Sequence, residues 1–369
     1  MGKRLPKTLV VATNPPVPEL AATVSAGKHP RVDYLELAAH FRRQHVDYGI
    51  VRPQRLVQHL EQMLRMDLRL AARVAWLVRR EGYEAVVSLS ERVGIPLALL
   101  LPRAVRHLVI FHHGMSAQKL RLIRALKLQY HWDVTVAISQ AEAKGMQRAL
   151  NIEPQRMIAL HTPVDTSFYR PAIGATTATV VQSLGLSHRD YPTFIQAMRR
   201  LPHIPCHLRV GSSWVSGAGG HEREQLPANI SLELFVPIDQ LRLCYLQSRI
   251  VVVPIRPTTQ WSAGCTSVQA AQAMGRPVVA TRRPGLAEYV IENETALLVE
   301  PGNAEQMAAA IATLWDNPQR AEQMGRAGRA LMNERFAFDQ WMQHMTGLVE
   351  WMMDCPIRAV NAGKTGSVA

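Results

Sequence analysis

Short β-branched runs alternating with longer helical patterns constrain this chain more than any other feature. The runs fall at 8–13 (TLVVAT), 85–90, 107–112, 134–139, 157–162, 179–185, 207–213, 230–235, 249–255, 277–282 and 295–301. Helical periodicity fills 55–82, 91–101, 117–128, 140–150, 191–201, 239–247, 267–274 and 303–334. Near-continuous apolar strands separated by helices predict parallel sheets covered on both faces. At 369 residues the chain exceeds one comfortable core. The alternation pauses at 161–180, HTPVDTSFYRPAIGATTATV, where Pro163, Pro171, Gly174 and a run of threonines break the period. That pause reads as a linker between two doubly wound α/β domains. In 336–354, FAFDQWMQHMTGLVEWMMD, residues Trp341, Met345, Leu348 and Trp351/Met352 recur at helical spacing. A face so apolar must pack on something, and the first domain is its natural target.

Composition excludes several classes. The four cysteines (Cys206, Cys244, Cys265, Cys355) are scattered, without the spacing of a zinc site, and suit reduced thiols in the cytoplasm. The apolar run near the N-terminus is too short for a secretion signal, and no run reaches the roughly 18–20 residues of a membrane span. The formal net charge of +13 calls for an anionic partner: nucleic acid, a membrane surface or a phosphorylated substrate. Nucleic acid draws on the charge alone, since no helix-turn-helix, zinc or aromatic-basic pattern accompanies it.

Two loops have the form of anion sites. In SLGLSHRDYPTFIQAM (183–198) a strand ends at Gly185, His188 and Arg189 follow, and a helix opens near Tyr191-Pro192. In QWSAGCTSVQAAQAMGRPVVAT (260–281) the small-residue turn from Ala263 through Gly264, Cys265, Thr266 and Ser267 opens another helix. Helix N-termini in open α/β sheets favour phosphate. The competing reading of the first loop is a helix start with two solvated polar residues.

Four stretches, in order, resemble the family 4-type glycosyltransferases of the GT-B fold: 151–171 (NIEPQRMIALHTPVDTSFYRP), 185–202 (GLSHRDYPTFIQAMRRLP), 239–255 (DQLRLCYLQSRIVVVPI) and 275–318 (GRPVVATRRPGLAEYVIENETALLVEPGNAEQMAAAIATLWDNP). In the first half, 29–38, 88–100 and 112–128 resemble one bacterial branch of these enzymes. The resemblance implies two Rossmann-like domains facing a cleft, the first spanning 1–165 with a returning helix at 337–355. The second would span 166–336, and 356–369 would form a flexible tail.

By the same resemblance, Arg189 and the amides from Gly264 to Ser267 hold the diphosphate of a nucleotide sugar, with no cofactor and no metal. Gly185, His188, Ser262 and Glu288 stand at donor-binding positions; for Glu288 the alternative is a complement to a helix dipole, and Gly285 is expected to make a turn with φ > 0. His113 or His112 would touch the donor hexose or the acceptor, the alternative being a structural histidine. Lys119 falls on the acceptor side. It begins a basic amphipathic run with Arg121, Arg124 and Lys127 that suits an anionic membrane surface or a lipid-linked acceptor, or else is a solvated face. Asp33, Glu36 and Glu91 are the first-domain carboxylates in suggestive loops, and nothing fixes their separation.

The sequence departs from the family at two places, the first being ATNPPVPEL (12–20) after the opening strand, where prolines replace the glycines of the acceptor loop many GT-B enzymes carry. The second is the usual E-x7-E pair, which falls at 262 and 270, where this chain has Ser262 and Ala270. Loss of one acceptor costs on the order of 1–3 kcal/mol, and Gln269 or Gln272 are the nearby substitutes. The expectation is therefore a retaining glycosyltransferase that takes a nucleotide sugar in the cytoplasm. The alternative is a relative that binds sugar nucleotide or glycan and has lost turnover.

Overall fold

The computed structural model describes residues 4–112, 116–171, 178–185, 187–210, 226–234, 236–258 and 260–355. Twelve strands form two six-stranded sheets. The first holds β1 (Thr8–Val11), β2 (His45–Val46), β3 (Ala85–Ser88), β4 (Arg106–Phe111), β5 (Val134–Ala137) and β6 (Met157–Ala159) in the order β2-β1-β3-β4-β5-β6. The second holds β7 (Val180–Leu184), β8 (Cys206–Val210), β9 (Ile230–Leu234), β10 (Ser248–Val253), β11 (Val278–Thr281) and β12 (Ala296–Val299) in the order β12-β11-β10-β7-β8-β9. All pairings are parallel. The second order is that of a doubly wound dinucleotide fold, whose ligand crevice lies beyond the carboxyl ends of the strands where the order reverses, between β7 and β10.

The strands are largely apolar because both faces are covered. Val251, Val253, Val278, Ala280, Ala296 and Leu298 face one core, whereas Ile250, Val252, Val279, Leu297 and Val299 face the other. Alternate residues on opposite faces follow from the period of two along a strand. Only β2, two residues long, escapes the sequence pattern.

Two helical patterns divide. The run 303–334 forms Ala304–Asp316 and Pro318–Arg335, because Asn317 caps the second helix with its side chain and Pro318 opens it. The run 55–82 forms Arg55–Leu64 and Leu68–Glu81, separated by Arg65 in the left-handed region at φ 50°.

The last helix, Phe338–Asp354, packs on the first domain. Trp341, Met345, Val349 and Met352 join Val10, Leu37, Leu108 and Ile110 in one core, while Trp351 stays 40% exposed. The chain thus crosses between the domains twice, and the crossings lie side by side: Val164 bridges Ala337, and its N–H donates to Phe336 O at 2.9 Å. Residues 356–369, expected to form a flexible tail, lie outside the described residues. Among the described residues no helix is long and apolar enough to cross a membrane.

Candidate active site

The carboxyl end of β7 and the start of helix Cys265–Ala273 converge on one cavity of about 380 Å³. Gly185 leaves the strand at φ +139°, and a Cβ there would meet the Arg189 guanidinium at 2.2–2.5 Å, so only glycine lets this arginine fold back. Arg189 Nε and Nη2 donate to Leu184 O at 3.2 Å, Nη1 donates to Ser187 O at 3.1 Å, and Nη2 donates to Ser267 Oγ at 2.7 Å. One side chain therefore ties the first loop to the second. Its backbone is fixed by an antiparallel bridge to Ile255, and Asp190 caps the following helix through Thr193 N at 3.3 Å.

Among the described residues no carboxylate pairs with Arg189, and burial pulls its guanidinium below the ordinary arginine range. Arginine still keeps its charge. The result is a desolvated cation lining a cavity with only neutral partners, an arrangement that a bound anion would stabilise. His188, at φ 57°, lines the same cavity and accepts from Arg256 N at 3.0 Å through its carbonyl.

On the opposite wall Gly264 precedes the helix at φ +88°, where a Cβ would lie 2.9 Å from Ile255 Cδ1. The four amides of this turn are not equivalent. Those of Cys265 and Ser267 donate to Ser262 O and Gly264 O, each at 3.1 Å. That of Thr266 turns to the Cys265 thiol, and that of Gly264 has no acceptor among the described residues. Thr266, Ser267 and Ala270 line the cavity, which Tyr169, Ile238, Leu241 and Tyr245 complete. Cys265 turns the other way: its Sγ lies 3.8 Å from Thr162 Oγ1, and burial pushes the thiol up to about 11.

Several residues singled out in the sequence sit elsewhere. Ser262, 4% exposed, lies under Gly285 at the contact between the domains, and its hydroxyl faces the Glu142 carboxyl without reaching hydrogen-bond geometry. Gly285 has φ −77°, not the positive value expected. Its requirement is space, since a Cβ would strike Ser262 Oγ at 2.3 Å and Ser139 Oγ at 3.0 Å. Glu288 accepts from the amides of Gln140 and Ala141 at 2.6 and 2.8 Å and contacts His161 Nε2 at 3.0 Å. It does complement a helix dipole, but that of a first-domain helix, Gln140–Leu150. Gln269 donates to Thr162 O at 2.6 Å and Gln272 to Tyr289 O at 2.9 Å; both are buried outside the cavity, so neither replaces a carboxylate at 270.

On the first domain, His112 Nε2 lies 2.9 Å from Leu89 O, and the His112 backbone N–H donates to the buried Glu91 at 3.3 Å. Burial pushes the neighbouring Asp33 carboxyl up, opposed by His112, while Glu36 pairs with Arg31 at 3.0 Å. Lys119 Nζ donates to Arg65 O at 3.1 Å, and burial lowers its ammonium. His113 lies outside the described residues. Among the described residues no three His, Cys, Asp or Glu side chains converge as a metal site requires.

The sequence reading missed Tyr169, Tyr245, His161 and Glu142. Glu142 carried a signal: Ser139-x-x-Glu142 is a capping box, with Ser139 Oγ accepting from Glu142 N and donating to its carboxylate, each at 3.1 Å. Burial pushes this carboxyl up to about 7. A raised folded pKa means the native state binds the extra proton, so stability falls as pH rises from the ordinary 4.5 through about 7. Glu142→Gln is therefore expected to match the wild type near pH 4 and exceed it by about 2–3 kcal/mol at pH 8, read by denaturant unfolding. Equal pH profiles would refute the assignment.

The sequence model described as Glycosyltransferase Family 4 matches residues 23–168, and that described as Glycosyl transferases group 1 matches 187–331. A D-inositol 3-phosphate glycosyltransferase of Segniliparus rotundus is 26% identical over 71% of the chain, which spans 60% of that relative's length. An MMP alpha-(1->4)-mannosyltransferase of Mycolicibacterium hassiacum is 22% identical over 91% of the chain and 78% of the relative. The fold is that of a glycosyltransferase from Rickettsia africae (TM-score 0.69, 16% identity, 95% of this chain and 99% of that one). It is shared equally with Anabaena HepE, solved with UDP and glucose (TM-score 0.69, 16% identity, 94% and 99%). Two family models in tandem, on a pair of parallel sheets joined by a returning helix, make the chain a member of the family 4-like glycosyltransferases of the GT-B fold.

Proposed function

We propose that the protein transfers a sugar from a nucleoside diphosphate sugar to an acceptor held on the first domain, with retention at the anomeric carbon. One observation carries this reading: Arg189 lines the cavity unpaired with any carboxylate among the described residues, bonded to Ser267 of the opposite loop. The UDP complexes of the Anabaena neighbour and the sugar-transfer names of the relatives support it.

In the reaction the bond from the anomeric carbon to the diphosphate oxygen breaks and negative charge collects on the leaving phosphate. Arg189, the Ser267 hydroxyl and the Gly264 amide stabilise that charge more as it grows, which is the condition for lowering the barrier. The acceptor hydroxyl attacks from the face the diphosphate leaves, and its proton passes to the departing phosphate oxygen. No enzyme carboxylate need act as nucleophile, and the same donors do the electrostatic work that a metal does in other transferases. The acceptor would enter from the side of His112 and Lys119.

A second reading, a sugar-nucleotide or glycan binding protein without turnover, draws on Ala270, whose methyl group lines the cavity where the family places a carboxylate. Thermal unfolding with UDP, GDP and ADP and their sugars, followed by radiolabelled turnover, tests both. At least one nucleoside diphosphate is expected to raise Tm, because a ligand bound only by the folded protein stabilises it. If none does, the enzymatic reading and the sugar-nucleotide form of the binding reading fail, leaving glycan binding; if one does without donor hydrolysis or transfer, the binding reading replaces the enzymatic one.

A further inference from the structure

Helix Arg55–Leu64 is inside out. Its one fully buried side chain is Glu61, held by Arg69 at 2.7 Å, while Leu56 is 89%, Leu60 44%, Met63 69% and Leu64 42% exposed. Positions 56, 60, 63 and 64 share one face of a helix, so these side chains form a continuous apolar stripe in solvent. A soluble surface helix places charge outward and leucine inward, and here the order is reversed.

The stripe has a charged rim of one sign. Arg52, Arg55 and Arg65 are exposed around it. The acidic groups nearby are withdrawn: Glu61 pairs with Arg69, and Asp67, also buried, pairs with Arg92 at 2.7 Å. Lys119 Nζ donates to Arg65 O at 3.1 Å, which joins helix Ala117–Ala125 to the C-terminal end of the stripe. That second helix adds exposed Leu122 and Leu126 and the exposed cation Arg121, with no Asp or Glu between 116 and 131. Its basic run alone is less amphipathic than the sequence suggests, because Ile123 and Leu128 are buried and Lys119 turns inward. The two helices together present leucine and methionine within a basic border.

We propose that this face docks the protein on an anionic lipid bilayer, with the Leu56–Leu64 stripe entering the headgroup and acyl boundary and the arginines meeting lipid phosphates. Charge complementarity selects the bilayer over a second copy of the chain, since a self-paired interface would place two basic rims against each other. Apolar insertion and basic attraction then act together, the combination that interfacial helices need for stable attachment. The surface is separate from the nucleotide cavity, so the proposal stands whether or not the chain transfers sugar.

Vesicle sedimentation of the full-length chain tests it, with phosphatidylcholine alone and with phosphatidylcholine containing phosphatidylglycerol. The wild type is expected to bind the anionic vesicles and to leave them as salt rises. Leu56→Asp combined with Met63→Asp should weaken binding about 10-fold or more, with Tm unchanged because both positions are solvent-exposed. Arg52→Glu with Arg55→Glu, which disturbs no packed residue, should lower binding to anionic vesicles only. A Leu56→Trp reporter should shift its emission to the blue on binding. Failure of the wild type to bind, equal binding by the aspartate variant, or a wild-type dimer that this variant dissolves would each overturn the proposal. The last would show that another copy covers the stripe.

Discussion

Arg189→Ala is expected to lower kcat/KM for the nucleotide-sugar donor about 10²–10³-fold, the loss seen when one donor is removed from a preorganised anion site. It should also erase most of the thermal shift given by the free nucleoside diphosphate. The size of the effect follows from the position. The guanidinium spans both loops, donating to Leu184 O and Ser187 O on one and Ser267 Oγ on the other, and meets no carboxylate among the described residues. Its charge is thus free to act on a ligand. The fold should survive, because the two carbonyls released border a cavity that water can enter. Arg189→Lys separates charge from geometry: a lysine keeps the cation but cannot bridge Leu184 O and Ser267 Oγ with a planar fork, so partial recovery is expected. Equal nucleotide shifts in wild type and Arg189→Ala would remove the phosphate role and with it the basis of the proposed function.

What the sequence discloses about this site is what local chemistry encodes. Gly185, Arg189, Gly264 and Ser267 belong to strand-to-helix turns whose composition declares them, and the fold brings them to one cavity. The residues that hold the two domains together are not encoded that way. Glu288 lies 148 positions from Gln140, and nothing near it in the chain announces that its carboxylate will cap a helix of the other domain. Gly285 invites a turn because glycine so often serves one, yet its need is the approach of Ser262 and Ser139. Helix Arg55–Leu64 hides for a related reason. Its apolar spacing is correct for a helix, but periodicity is silent on whether the stripe faces the core or solvent, and burial of Glu61 against Arg69 decides that. Ala270, which the sequence resemblance sets at a carboxylate position, falls inside the cavity.

That position gives the second large prediction. Ala270→Glu is expected to tighten binding of the nucleoside diphosphate about 10-fold, since a hydrogen bond to a charged acceptor contributes about 1.5–3 kcal/mol and 1.4 kcal/mol is one decade. Residues 266, 267 and 270 lie on one face of helix Cys265–Ala273, and all three line the cavity, so a longer side chain at 270 enters the ligand space. The flanking glutamines cannot compete for the role, because Gln269 and Gln272 are tied to Thr162 O and Tyr289 O. An added carboxylate has two potential partners. If it meets the ribose hydroxyls, the gain should vanish with a 2′,3′-dideoxynucleotide. If it turns instead to Arg189, one turn away across Ser267, it neutralises the cation and weakens both nucleotides alike. The first outcome assigns the ribose contact to this face of the helix, and a parallel rise in transfer rate would mark alanine as the brake on catalysis. The second would mean that the cavity is arranged around an arginine kept clear of carboxylates, and that the wild-type alanine protects the phosphate grip.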